Sequence, residues 1–236
     1  MSMTIQRSSL ALQHIALLEG LSQQRLDELA QRCQWQSIAA GAPLVLRSEE
    51  KSDVYFLVSG QLRVTTYSAN GRQITFRDLN EGEHLGEIAA IDGRPRSADV
   101  VTLKASVVAS LDRAAFLELL RDEPMVAERV MRSLTSLVRQ LSERVIDLST
   151  MGVQNRVHAE LLRLAREAGI DGNRTRLDPA PTHSELASRV STNREQVTRE
   201  LNALQRAGIL EKEGKALVVL DVQRLVAMLA EVRGFP

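Results

Sequence analysis

The sequence predicts an α+β chain. An antiparallel β-sandwich or barrel comes first, a long helix follows, and a small helical region with two short strands ends it. Three observations lead there. Between about residues 37 and 112, short apolar runs alternate with turn dipeptides. From Pro124 to Met151, apolar residues recur at helical spacing. From Thr182 to Leu201, two short helical patterns flank a polar break.

The elements follow in order. Leu10, Ile15, Leu18, Leu21, Leu26 and Leu29 recur at roughly helical spacing, with Ser22 placed to cap the helix that contains Leu26. The strand-like runs 54–58, 62–64 and 74–76 lie among Ser59-Gly60, Asn70-Gly71, Glu81-Gly82 and Asp92-Gly93, and Asn70-Gly71 suits a type I′ hairpin. In the long helix, Val126, Val130, Leu134, Leu137, Leu141, Val145 and Leu148 form a narrow seam flanked by Arg129, Arg132, Arg139, Glu143 and Arg144. A seam this narrow is read as the spine of a parallel homodimer, because a helix packed on its own domain usually carries a wider apolar stripe. Beyond Gly152, helices are expected over 153–168, 182–190, 193–207 and 222–232, with two strands around Glu213-Gly214-Lys215. The expected domains are 1–122, 123–151 (the spine helix) and 152–236.

Composition narrows the function classes. The 236 residues carry 30 basic and 30 acidic side chains, so no bulk basic charge marks a nucleic-acid binder. One cysteine, Cys33, excludes an internal disulfide, a multi-cysteine zinc site and a cysteine-ligated iron–sulfur cluster. The four histidines (14, 84, 158 and 183) show no metal-ligand spacing, and His84 reads as a surface-loop residue. No nucleophile–base arrangement or paired metal ligands stand out, so the chain is read as a non-enzyme without a metal. The absence of a long apolar run and of an export signal leads to the expectation of a cytoplasmic protein away from membranes.

The segment Gly82–Ala98 is the most informative of the first half. Gly86 allows close backbone approach to a ligand, and residues 87–91 can form one helical turn whose free N–H groups face an anion. Arg96 can fork onto phosphate oxygens, and the Glu87 carboxylate can accept from a ribose hydroxyl. These residues resemble the phosphate cassette of the cyclic-nucleotide-binding domain shared by the CRP/FNR (catabolite activator) family and the regulatory subunits of cyclic-nucleotide-dependent kinases. The match is Gly86-Glu87 followed by Arg96-Ser97-Ala98. The resemblance implies a β-roll that binds a cyclic nucleotide, cyclic AMP or cyclic GMP, through Gly86, Glu87, Ile88, Arg96, Ser97 and Ala98. It also implies contacts from the spine helix at Leu141 and Ser142. There the cyclic-AMP-responsive members carry a Thr-Ser pair, and Leu141 can neither donate nor accept. Cyclic AMP, cyclic GMP and a cyclic dinucleotide all stay open at this point.

In the second half, Leu186, Ala187 and Val190 face inward on one helix, and Val197 and Leu201 on the next, with Asn193 as its cap. Arg194, Glu195 and Arg199 then occupy the part of the second helix that enters a major groove. This segment resembles the recognition helix of the same family, whose Arg-Glu-x-x-x-Arg pattern recurs here, and residues 208–219 resemble its wing. The resemblance implies a winged helix-turn-helix on double-stranded DNA, a TGTGA-like palindrome, and RNA polymerase as a further partner. Gln196 and Thr198 are expected to meet phosphate or flanking bases. The alternative from another class is a nucleotide-binding module that regulates a protein partner.

Overall fold

The computed structural model describes residues 8–69 and 71–233. The chain divides into two compact units, residues 1–138 and 139–236.

The first unit opens with helices α1 (Ser9–Leu12) and α2 (Gln23–Arg32), separated by a short 3-10 turn. The Ser22 side chain caps α2 by accepting from the Arg25 N–H, as the sequence predicts. Eight strands follow: β1 (Gln34–Ile38), β2 (Pro43–Val45), β3 (Val54–Ser59), β4 (Gln61–Tyr67), β5 (Gln73–Asn80), β6 (His84–Leu85), β7 (Asp99–Thr102) and β8 (Ser106–Leu111). They form two four-stranded antiparallel sheets, ordered β1-β8-β3-β6 and β2-β7-β4-β5. Helix α3 (Glu87–Asp92) interrupts the strands, and α4 (Arg113–Asp122) follows β8. Leu57, Leu62, Leu79 and Val108 fill the space between the sheets, while Phe56, Phe116 and Leu29 anchor a second cluster under the helices.

The β4–β5 hairpin forms. Ser68 donates its N–H to the Arg72 carbonyl, and Gly71 is left-handed at φ 75°. Asn70 itself lies outside the described residues. Two readings need correction. His84 lies in strand β6 and is half-buried rather than on a surface loop. The apolar seam is not uniform along α5 (Pro124–Thr150). Val126 and Val130 are buried in the first unit's own core and Leu134 packs against it. Leu137 is half-buried, and Leu141, Val145 and Leu148 are exposed. Cys33 is buried, and burial pushes its thiol up to about 12, which makes it an inert core side chain. Trp35 packs against the helical cluster and donates its indole N–H to the Ala30 carbonyl.

The second unit continues with α6 (Val153–Ala168), β9 (Thr175–Leu177), α7 (His183–Arg189), α8 (Arg194–Arg206), β10 (Leu210–Glu213), β11 (Ala216–Val219) and α9 (Val222–Arg233). The three strands form one antiparallel sheet, ordered β10-β11-β9. Leu161, Leu186, Val197, Leu201 and Leu225 meet in its core. The fold is therefore α+β, with an antiparallel β-roll, a long helix and a winged helix-turn-helix. No helix among the described residues is long and apolar enough to cross a membrane.

Candidate functional site

Two arrangements carry chemistry, one in each unit. In the first, β3 pairs with β6 so that Tyr55 lies opposite Leu85, which brings Asp53 and Val54 beside Gly86. Gly86 precedes α3 in a left-handed conformation, φ 95°. A Cβ there would stand 2.5 Å from the Asp53 carbonyl oxygen and 2.7 Å from Arg96 Nη1, so both space and backbone angle demand glycine. Glu87 begins α3 and is 3% exposed, and Arg96 is 5% exposed.

Arg96 is held by few groups. Its Nη2 donates to the Asp53 carbonyl at 2.9 Å, and its guanidinium lies 5.6 Å from the centre of the Tyr55 ring. Its Nε and Nη1 are buried without a hydrogen-bond partner among the described residues. A buried cation with spare donors is costly unless something anionic meets it, and few native structures keep one without a reason. On strand β6, His84 Nε2 is also buried without a partner among the described residues. Burial lowers the basicity of this imidazole, Glu87 acts to raise it, and Arg77 acts to lower it. Buried donors, a buried carboxylate and a tight glycine turn together make a cradle for a small anion that carries hydroxyl groups.

The structure brings Gly86, Glu87 and Arg96 together. Ile88 is half-buried on α3, Ala98 is buried and Ser97 is exposed. Leu141 and Ser142 lie on α5 in the second unit, both exposed, Leu141 at 40%. Sequence reasoning missed Asp53 and Tyr55, which hold and cover Arg96. Neither residue type signals such a role; only the strand pairing does.

In the second unit, Thr182 and Glu185 form a capping box at the start of α7: the Thr182 side chain accepts from the Glu185 N–H, and the Glu185 carboxylate accepts from the Thr182 N–H. The turn to α8 passes through Ser191 in a left-handed conformation, φ 53°. Asn193 then caps α8 by accepting from the Gln196 N–H at 2.9 Å. At the far end of α7, Arg144 donates to the Arg189 carbonyl at 2.9 Å and Arg156 to the Val190 carbonyl at 3.0 Å. Under α8, the fully buried His158 pairs with Glu200 at 2.6 Å.

With both helix starts fixed, Arg194, Glu195 and Arg199 stand exposed on α8. Gln196 is tied instead to the Thr192 hydroxyl. The Thr198 hydroxyl donates to the Arg194 carbonyl at 2.9 Å and meets His183 Nδ1 at 2.7 Å. Among the described residues, no cluster of side chains is arranged to hold a metal ion.

Comparison with known proteins bears on both units. Residues 35–123 match the cyclic nucleotide-binding domain family, and residues 155–228 match the Crp-like helix-turn-helix domain family. The chain is 25% identical over 210 residues to the CRP-like cAMP-activated global transcriptional regulator of Mycobacterium tuberculosis, covering 89% of this chain and 94% of that one. It is 29% identical over 196 residues to the cyclic AMP receptor protein of Thermus thermophilus, covering 82% and 87%. Among solved structures, the c-di-GMP responsive global regulator CLP of Xanthomonas campestris superposes with a TM-score of 0.74 at 19% identity, over 84% of this chain and 99% of that one. At that identity the likeness speaks for the fold.

Proposed function

From membership of the CRP/FNR family of transcription regulators, to which this chain belongs, we propose that a cyclic purine mononucleotide, cyclic AMP or cyclic GMP, binds at Gly86, Glu87 and Arg96 and switches the protein's binding to DNA. The observation that carries this reading is Arg96, buried against the Gly86 turn with two guanidinium nitrogens unpartnered among the described residues, where the next residue is the buried Glu87. A cyclic phosphodiester supplies the missing acceptors, and its ribose 2′-hydroxyl supplies a donor to Glu87. Ile88, Ser97 and Ala98 complete the wall. Calorimetry on the purified protein with cyclic AMP, cyclic GMP and cyclic di-GMP tests this. Saturable binding of one of the mononucleotides is expected, and binding of cyclic di-GMP alone would overturn it.

The DNA half of the proposal rests on the exposed Arg194, Glu195 and Arg199. Arginine pairs with guanine O6 and N7, and glutamate accepts from cytosine N4. The expected half-site is close to TGTGA, repeated as a palindrome with centres ~10–11 base pairs apart. A palindrome needs a two-fold dimer, and the exposed apolar residues Val138, Leu141, Val145 and Leu148 of α5 are the surface assigned to it. Sedimentation should give a dimer at micromolar concentration; a stable monomer with and without nucleotide would remove that assignment.

A further inference from the structure

His183 plays no part in the assignments made so far, yet it occupies a chemically unusual position beside the reading helix. It is the first residue of α7 and is half-buried, with Nδ1 2.7 Å from the Thr198 hydroxyl on α8. The same hydroxyl lies 2.9 Å from the Arg194 carbonyl. A hydroxyl has one proton to give. A carbonyl oxygen can only accept, so that proton goes to Arg194, and the Thr198 oxygen must accept from His183. Nδ1 therefore carries a hydrogen whatever the ring's charge.

The consequence falls on the other ring nitrogen. Among the described residues Nε2 has no hydrogen-bond partner, and it reaches solvent. In the neutral ring this outward nitrogen is a bare lone pair; in the cation it is an N–H donor. The charges facing it are both cationic: Arg194 from α8 and Lys212 from β10, each on an exposed side chain. Glu185, on its own helix, is turned back onto the Thr182 N–H at 2.8 Å. Partial burial and these two cations hold the imidazole below its ordinary basicity, so the free protein near neutral pH carries it uncharged. The surface formed by His183, Arg194 and Lys212 is one that a phosphate diester fits, but only a protonated ring donates to it.

We propose that His183 is a proton-gated contact to a DNA backbone phosphate, so that DNA binding takes up a proton at this residue. The inference rests on the DNA-reading assignment of α8. The sign follows from linkage. Bound phosphate raises the basicity of His183 relative to the free protein, so affinity is greatest where both forms are protonated. It falls as pH rises between the free and bound values and is flat above both. Because a backbone contact is indifferent to sequence, the effect extends to DNA of any sequence.

The test uses the full-length protein, in saturating cyclic AMP and again in saturating cyclic GMP. Two 40-base-pair duplexes are titrated at fixed salt, one carrying an inverted TGTGA repeat and one of scrambled sequence. Wild-type affinity should weaken by roughly tenfold from pH 6 to pH 8. His183→Gln, which keeps a neutral donor toward Thr198, should be nearly flat across that range. His183→Arg, always charged, should be flat and as tight at pH 8 as the wild type is at pH 6. Calorimetry in two buffers of different ionisation enthalpy should find proton uptake by the wild type and none by either variant. If His183→Gln keeps the wild-type pH slope, or the wild type binds DNA without taking up protons, the proposal is wrong while the DNA-reading assignment stands. If the wild type binds neither duplex at any pH with either nucleotide, the DNA-reading assignment itself falls, and this proposal with it.

Discussion

The cassette around Arg96 and helix α8, to which DNA reading is assigned, both present arginine and glutamate, but they hold them in opposite ways. Glu87 and Arg96 are buried, and part of the Arg96 guanidinium has no partner. Arg194, Glu195 and Arg199 are exposed on a helix whose start is capped. A small ligand offers few atoms, so a site for it concentrates affinity in a few desolvated groups whose electrostatics are strong because water is excluded. A DNA duplex offers a long charged surface, so its reader spreads affinity over many solvated contacts and reserves a few for base identity. Losing one group should therefore cost more in the cassette than on the helix.

The largest expected effect is at Arg96. Replacing it with Ala removes a charged hydrogen-bond donor worth ~2–3 kcal/mol, weakening nucleotide binding about 30- to 150-fold. Calorimetry measures the loss, and an unchanged melting curve shows that the fold survives. Wild-type affinity in Arg96→Ala would break the comparison at its root. Next comes the reading helix. Arg194→Ala or Arg199→Ala should each cost ~1–3 kcal/mol at the preferred site and relax the choice at one guanine, leaving nucleotide binding unchanged. Selection from random DNA reads this out. If Arg199→Ala loosens positions with no G·C pair, α8 does not read in the way assigned. The smallest effect is structural. Thr182→Ala removes half of a capping box and should cost ~1 kcal/mol of stability, seen as a lower melting temperature of the second unit. A loss confined to DNA affinity with no change in stability would mean that Thr182 touches DNA rather than serving α7.

Most of the second unit was legible from local pattern. The expected helix over 153–168 matches α6, the strands around Gly214 match β10 and β11, and Asn193 caps α8. Each of these depends on residues a few positions apart, where capping and periodicity act. The cassette's motif was legible too, since Gly86 and α3 stand where spacing put them. Its supports were not. Asp53 holds Arg96 across 43 residues, and Tyr55 covers it, only because β3 pairs with β6. The seam of α5 was legible only in part for a related reason. Val126 and Val145 look alike in the pattern, but the first is buried in the first unit's core and the second is 62% exposed.

By itself, then, the sequence determined the element types, the helix caps, the glycine turn and the chemical inventory of both sites, because these are set by near neighbours along the chain. Tertiary structure decided which of those groups are buried and what they meet. It left Arg96 with spare donors, placed His84 in a strand, and set His183 against Thr198 with one nitrogen turned outward. The physical reason is that desolvation and hydrogen-bond partnership are properties of a residue's surroundings in space. Where the chain returns on itself through strand pairing or helix packing, those surroundings come from residues that no local spacing connects.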